Sequence, residues 1–287
     1  MALIVGILLV IGCTLGGYVA MGGKLAVLWQ PFEVVIICGA ALGAFVIGNP
    51  AAVLKGAGGA FKKAMSGSKY GKKNYLELLS LLYQVLKVAK TKGPLALEQH
   101  IENPGDSALF KEFPGFANNK VAMEFLCDYL RMITLGVENP HEVEALMDEE
   151  LETHHHEHSH IAHAVQTMAD GMPALGIVAA VLGVIKTMGS ITEPPEVLGK
   201  LIGGALVGTF LGVWLSYGFL APIASKAQST YDAEHKYLLC IKAALLAHLN
   251  DSAPAVSIEF ARKVLGEHER PSFIELEQTV SELPPVA

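Results

Sequence analysis

Charged side chains are scarce in this 287-residue sequence, at 17% of residues against about a quarter in ordinary soluble domains. The scarcity is uneven, because residues 171–185 and 201–225 contain no aspartate, glutamate, lysine, arginine or histidine. Runs this apolar exclude a typical soluble enzyme, whereas the charges elsewhere exclude a protein embedded entirely in a membrane. We therefore expect a membrane protein with a substantial water-exposed part.

Cysteine pairs and catalytic motifs are also missing. The four cysteines, Cys13, Cys38, Cys127 and Cys240, have neither CxxC nor zinc-ligand spacing, so we interpret them as structural thiols. The sequence contains no phosphate loop, no nucleophile–base spacing and no nucleic-acid-binding pattern. We therefore predict no enzymatic activity, no cofactor, no metal site and no nucleic-acid partner.

Four apolar runs predict four transmembrane helices, since about 20 apolar residues span a bilayer. They cover residues 1–23, 34–54, 171–185 and 201–225. The first run lacks the basic start and clear cleavage site of a signal peptide, so we interpret it as a retained span. The predicted divisions are 1–54 for the first two spans, 55–170 for a helical domain, 171–225 for the last two spans and 226–287 for a helical tail.

Lysine placement predicts the orientation. Six lysines lie between residues 55 and 73, whereas the short linkers 24–31 and 187–200 hold one lysine each. Positive residues near span ends mark the cytoplasmic side. We therefore expect both termini and residues 55–170 in the cytoplasm, where the lysines also meet anionic lipid.

The cytoplasmic part is predicted to be helical, so the whole fold is all-α. Residues 74–92 carry an apolar stripe at helical spacing, with Asn74 as a plausible N-cap and a Gly-Pro pair as the stop. Residues 119–135 and 140–163 predict two more helices. No run alternates like a strand.

Charges in this part are sorted by sign. Residues 55–92 hold nine lysines and one acid, whereas residues 138–157 hold eight acids and no lysine or arginine. These are either solvated and lipid-facing surfaces or a docking surface for a charged partner. The histidines of segment 154–163 either bind metal or belong to a solvated helix, and we favour the helix.

The third and fourth spans lack any group that could carry an ion. Glu33 and Lys186 lie only at the outer edges of spans, so a carrier must come from another chain. Glycines recur every four residues at Gly204, Gly208 and Gly212, a spacing that lets another helix approach closely. We expect that helix to belong to the partner.

Prolines occur near the inner ends of both spans, at Pro173 and Pro222. A proline frees a backbone carbonyl, which a membrane tolerates mainly where the carbonyl faces protein or water. The alternative is that both prolines mark helix ends. Thr209, in the middle of the fourth run, suggests the wall of a conduit.

Several segments resemble the MotA family of flagellar stator subunits, and the match extends over nearly the whole chain. The segments are GGYVAMGG, WQPFEVVIICGA, SKYGKKNYLELLSLLYQ, IENP, EALMDEELETH, PALGIVAAVLGVIKTMGS, LVGTFLGVWLSYGFLAPIA and ERPSFIELE. The resemblance implies a ring, thought to contain five copies, around a MotB dimer that supplies the protonatable aspartate. It also implies that Pro173 and Pro222 lie near that aspartate and that Thr209 lines the channel.

The same resemblance implies contacts with the rotor protein FliG. A basic and an acidic position of the family correspond to Lys90 and Glu98, and Glu150 is a further candidate. Lys90 departs from the arginine of the best-known members, which keeps the charge but loses the bidentate fork. The histidine tract departs from the family pattern, and no role is carried over to it.

Ala180 bears on whether protons or sodium ions pass through the channel. Sodium-driven relatives have a hydroxyl residue at this position, and alanine offers no oxygen ligand, so protons are favoured. Two alternatives stay open from the sequence: a proton-driven energiser of the ExbB/TolQ kind, which has three spans, and a scaffold that conducts nothing.

Overall fold

The computed structural model describes residues 2–137 and 139–284, and every regular element in these residues is helical. This confirms the all-α prediction. The order is α1 (Ala2–Ala20), α2 (Leu25–Leu28), α3 (Pro31–Gly48), α4 (Ala51–Ser66), α5 (Lys72–Lys92), a 3₁₀ turn (Pro94–Leu97), α6 (Glu98–Glu102), α7 (Ala108–Lys111), α8 (Pro114–Ala117), α9 (Lys120–Thr134), α10 (Pro140–Met188), α11 (Pro195–Leu215), a π turn (Ser216–Leu220), α12 (Ala221–Leu249), α13 (Pro254–Lys263) and α14 (Phe273–Ser281).

Four stretches of helix are long and apolar enough to cross a membrane, as predicted: Leu3–Ala20, Leu25–Gly48, Pro140–Met188 and Pro195–Leu249. The last two contain 49 and 55 residues. About 20 residues suffice for a bilayer, so each of these two helices also extends well beyond it.

The long helices correct one expectation. The sequence suggested a helix from residue 140 to about 163, followed by a separate span from 171. Instead α10 continues without interruption through both, because no glycine–proline stop or cap intervenes and the backbone accommodates Pro173 inside the helix.

The chain divides into two compact units. The first comprises Met1–Gly67 and Glu157–Thr230. Its core is small and built from residues on α3, α10 and α11: Ile37, Ala41, Met172, Ala179, Val207 and Leu211. Most other large apolar side chains of α1, α3 and the spanning part of α10 are exposed, as expected of helices that meet lipid or other protein rather than water.

The second unit comprises Ser68–His156 and Tyr231–Ala287 and has a core centred on α5. The predicted stripe of α5 is confirmed, with Leu78, Leu81, Leu82, Val85 and Leu86 fully buried. The predicted cap is wrong. The helix begins at Lys72, two residues before the predicted start, and Asn74 accepts a 3.3 Å hydrogen bond from the N–H of Gly71, which is the N-cap.

Helix α9 forms where the sequence predicts it, with Asn119 as its N-cap. The Asn119 side chain accepts a hydrogen bond from the N–H of Ala122 at 3.4 Å. The apolar face of α9 then contributes Phe125, Leu126 and Leu130 to the core of the second unit.

The ERPSFIELE segment holds the C-terminal helices in place. Arg262, with a side chain only 9% exposed, donates to the carbonyl of Pro271 at 3.0 Å. Ser272 and Glu275 form a capping box at the start of α14, and Lys72 of α5 donates to Glu275 at 2.7 Å. The Lys72 ammonium and the Ser272 backbone lower the pKa of Glu275 to about 2.

Candidate functional site

Glycines bring α10 and α11 into close contact. A Cβ added at Gly176 would lie 2.8 Å from the carbonyl oxygen of Gly208 and 3.0 Å from the Cα of Gly212. One added at Gly183 would lie 2.8 Å from the Cβ of Ala205. We call these five residues the glycine seam. Backbones that approach this closely can pack only where side chains are absent or minimal.

The seam corrects the prediction that the glycine face receives a partner's helix. Gly208 and Gly212 are buried against α10 of the same chain. Gly204 lies against the side chain of Gln30, because a Cβ added at Gly204 would be 3.0 Å from Nε2 of Gln30. Glycine spacing alone identifies a close helix crossing but not the chain that supplies the second helix.

Thr209 and Ala180 both lie at this crossing. Ala180 contributes backbone to the seam, because its nitrogen would be 3.1 Å from a Cβ at Gly208. Thr209 follows Gly208 on α11, and both Thr209 and Ala180 are half-buried. The structure therefore brings together two candidate residues that are separated in sequence, at the edge of a tightly packed helix pair.

Both candidate prolines lie within continuous helical backbone, so they do not mark helix ends. Pro173 is inside α10 and half-buried, next to Met172, whose carbonyl oxygen abuts Gly212. Pro222 follows the π turn Ser216–Leu220, with helix on both sides, and is exposed. Each proline leaves a backbone position without a donor inside a long helix.

Lys90 lies in the last turn of α5 and is engaged within the chain. Its ammonium donates to the carboxylate of Asp251 and, at 3.2 Å, to the backbone oxygen of Asp251. The side chains are 38% and 94% exposed, respectively. The Lys90 ammonium holds the pKa of the Asp251 carboxyl below its usual value.

Glu98 lies in the first turn of α6 and is exposed. It borders an open cavity of about 480 Å³ whose other lining residues are Val88, Lys92, Leu95, Ala96, Gln99, His100 and Glu102. Between α5 and this segment the chain reverses at Gly93, whose φ of 87° favours glycine. Lys90 and Glu98 thus flank one turn of the second unit, and both are exposed to solvent.

Glu150 is tied to the core. It is exposed on α10, but it accepts a 2.7 Å hydrogen bond from the hydroxyl of Tyr129, which is only 2% exposed. Nearby, Lys242 pairs with Asp148 at 2.5 Å, its side chain being 12% exposed. The acidic run is therefore partly neutralised within the chain rather than fully solvated.

The histidine tract makes contacts between helices. The rings of His155 on α10 and His235 on α12 are 4.4 Å apart, and His155 Nε2 lies 3.8 Å from the carboxylate of Asp232. Across residues 2–137 and 139–284, no cluster of three or more histidine, cysteine, aspartate or glutamate residues is placed to hold a metal ion. The arrangement is one of packing between two helices.

Sequence reasoning missed Asp251 as the partner of Lys90. The two residues are 161 positions apart, and the only local signal was an acid next to an asparagine at the end of a helical run. It also missed the π turn before Pro222, for which the sequence carries no pattern.

Two family models match the chain. The model of the motility protein A N-terminal region matches residues 4–93, and that of the MotA/TolQ/ExbB proton channel family matches residues 117–238. Motility protein A of Escherichia coli is 44% identical over 280 residues, covering 98% of this chain and 95% of that protein. Motility protein A of Salmonella typhimurium is 45% identical over the same shares.

Solved structures agree in fold. A structure of C. jejuni MotAB superposes with a TM-score of 0.80 at 20% identity, covering 94% of this chain and 98% of that chain. A flagellar MotAB stator complex from Bacillus subtilis superposes with a TM-score of 0.67 at 26% identity, covering 89% and 92%.

The relatives bear on one of the two alternatives left open by the sequence, the energiser of the ExbB/TolQ kind. Proteins similar over nearly the full length are named as motility proteins, and four helices are long enough to span, so an ExbB/TolQ-like energiser is not favoured. The chain is therefore a multi-pass inner-membrane protein that belongs to the motility protein A family, and its residues 117–238 match the MotA/TolQ/ExbB proton channel family.

Proposed function

We propose that this chain is a stator subunit that forms a proton channel with MotB and converts inward proton flow into torque on the flagellar rotor. The observation that supports the proposal most strongly is that the spanning helices lack a side chain that could bind a proton. α10 and α11 pack tightly along the glycine seam, yet residues 171–185 and 201–225 contain no ionisable acid or histidine. A carrier must then come from another chain, and the resemblance to motility protein A implies that it is an aspartate of MotB. The role is transport coupled to motion rather than enzymatic.

The pathway residues are Pro173, Ala180, Thr209 and Pro222. Since the α10–α11 contact is filled by this chain, the partner's aspartate must meet another part of this chain's surface, and Thr209 is half-buried whereas Pro222 is exposed. Backbone groups freed by proline are tolerated in a membrane where they face protein or water. That requirement suits positions facing a partner helix and a proton path.

The orientation follows from the lysines. Residues 55–170 and 226–287, together with both termini, lie in the cytoplasm, and the linkers after α1 and α10 face outward. Five such chains ring the MotB dimer, and the basic residues beside the second span contact anionic lipid.

The cytoplasmic part contacts FliG through Lys90, Glu98 and, in a smaller role, Glu150. Lys90 and Glu98 are exposed and flank one turn, which supports their pairing with rotor charges of opposite sign. Glu150 already accepts a hydrogen bond from Tyr129, so a rotor cation can use only its remaining acceptor capacity.

The energy of one proton crossing the membrane is large enough to break the proposed contacts between the stator and the rotor at each step. One elementary charge that crosses the membrane gains about 2.3 kcal/mol per 100 mV. An exposed ion pair contributes about 0–1 kcal/mol, so one proton suffices to break a few contacts with the rotor. Contacts between exposed side chains suit a motor that must release the rotor at each step.

Substitution of the prolines tests the proposal. Pro173→Ala and Pro222→Ala should abolish swimming and proton flux while the complex with MotB still assembles, measured by co-purification and by proton uptake into vesicles. Pro195→Ala is the matched control, because a proline at the first turn of α11 removes no helical hydrogen bond. Normal flux in both proline variants would refute the assigned pathway.

The ion is tested separately. Because Ala180 offers no oxygen ligand, motor speed should not change when sodium is varied at constant pH and membrane potential. A speed that rises with sodium would refute proton coupling while leaving the stator role intact.

A further inference from the structure

Asp251 ends α12 in a conformation that most residues avoid. Its N–H donates to the carbonyl of His248 at 2.9 Å, and the N–H of Ser252 donates to the carbonyl of Ala247 at 3.1 Å. This pair of bonds defines a Schellman motif, in which the residue at the Asp251 position adopts a left-handed conformation. Its φ is 64°, and it is the one residue other than glycine with a positive φ in the described part of the chain.

Glycine is the usual residue at this position of the motif, because a side chain there is unfavourable. The aspartate must therefore be explained by what its side chain does. Its carboxylate is 94% exposed, so it makes no contribution to the core. Its contact is with the ammonium of Lys90, to which the backbone oxygen of the same residue also binds at 3.2 Å.

We propose that Asp251 is a positioning residue for Lys90, which holds the ammonium in a fixed place and is displaced when an acidic side chain of the rotor protein binds it. The inference rests on the proposed role of Lys90 in contacting the rotor. Two acceptors from one residue fix the lysine head group, which otherwise samples many rotamers. The Asp251 carboxylate also competes with the rotor for the same charge.

The competition weakens the contact with the rotor. An acidic side chain of the rotor can pair with Lys90 only if the Asp251 carboxylate leaves Lys90 and returns to water. The net free energy of the rotor contact is therefore the difference between two similar exposed ion pairs. Because Asp251 is almost fully exposed, its carboxylate is hydrated at once when it is released. The exchange keeps the contact short-lived, which a stepping motor requires.

Two variants separate the charge from the turn. Asp251→Asn keeps a side chain that tolerates the left-handed conformation, and Asp251→Gly places the preferred residue in the motif. Both variants remove the carboxylate and retain the backbone oxygen. Neither should disrupt the fold, so a shared effect of both reports the lost charge.

The first measurement detects the pair in the assembled complex. Acetylation of Lys90 by an amine-reactive reagent, followed by mass spectrometry, should be about two- to fivefold faster in both variants than in the unsubstituted protein, in keeping with the strength of an exposed ion pair. Lys87, exposed on the same helix, is the internal reference and should react at an unchanged rate. An unchanged Lys90 rate in both variants would overturn the proposal.

The second measurement detects the rotor. A photoreactive amino acid at exposed Thr91 should cross-link to the rotor protein in cells, with a yield that falls in Lys90→Ala and rises about two- to fivefold in Asp251→Asn and Asp251→Gly. If Lys90→Ala lowers the yield but the Asp251 variants match the unsubstituted protein, the positioning role is wrong and the rotor contact stands. If Lys90→Ala leaves the yield unchanged, the rotor role of Lys90 is wrong and the positioning proposal fails with it.

Discussion

Alanine at Gly176 should force α10 and α11 apart. The new Cβ would lie 2.8 Å from the oxygen of Gly208, and ordinary contact begins at 3.4 Å, so the helices must separate by about 0.6 Å (3.4 − 2.8). The atoms it meets belong to the backbone and cannot rotate away. Overpacking of this kind costs about 1–3 kcal/mol.

A second effect opposes the first. Alanine is more favourable than glycine inside a helix by about 1 kcal/mol, so Gly176→Ala should show a net loss of about 0–2 kcal/mol. Gly171→Ala on the same helix isolates the propensity term, because a Cβ there meets nothing within 4 Å. The difference between the two variants, about 1–3 kcal/mol, measures the seam itself.

The assay is unfolding of the purified complex in mixed micelles, followed by the fluorescence of Trp214. This indole lies on α11 and donates to Thr14 of α1 at 3.3 Å, so its fluorescence reports the release of α11 from α1 as the helices unfold. The chain has two tryptophans, and the exposed Trp29 is replaced by phenylalanine in every sample. Equal unfolding free energies for Gly176→Ala and Gly171→Ala would show that the seam is not tightly packed.

Three further predictions concern the second unit. Arg262→Ala should destabilise it by about 1–3 kcal/mol, seen in thermal unfolding, because the carbonyl of Pro271 loses a charged donor that is nearly buried. Tyr129→Phe should cost about 1 kcal/mol in the same assay, since the acid that the hydroxyl contacts returns to water. The pKa of Glu275 is lowered from 4.5 to about 2, so its pairing with Lys72 is fully present above pH 4.5 and is lost as the pH falls toward 2. Pepsin cleavage within α14 should therefore increase as the pH falls from 4.5 to 2. A Lys72→Ala variant, which lacks the pairing, should already be cleaved near pH 4.

Local patterns in the sequence predicted the elements whose determinants are local. The apolar stripe of α5 and the position of α9 each depend on residues within one helix, so residue spacing suffices to predict them. The Asn74 cap failed for a related reason. Its side chain does bond at the helix start, but from inside the first turn back to Gly71, and the sequence does not distinguish these two geometries.

Features that depend on distant residues could not be predicted. Glycine spacing predicted a close helix crossing, but the partner of Gly208 is Gly176 of the same chain, which only the folded topology decides. The link between Lys90 and Asp251 likewise joins the ends of two helices far apart in sequence. The candidate residues of the pathway came from resemblance, and the fold supplied their surroundings.

The π turn has a geometric consequence for the helix that contains Pro222. Ala224 lies eight positions after Ser216. In a regular α-helix the two side chains would point in directions roughly 80° apart around the helix axis. A π turn contains one extra residue, which reduces that angle to roughly 20°. Ser216 and Ala224 are both buried, so the π turn keeps them on the same buried face of the helix, before and after Pro222. By the same count Pro222 points roughly 140° away from Ser216. The widened turn thus directs the residue that lacks a hydrogen-bond donor toward the exposed side of its helix, where water or another chain can meet it.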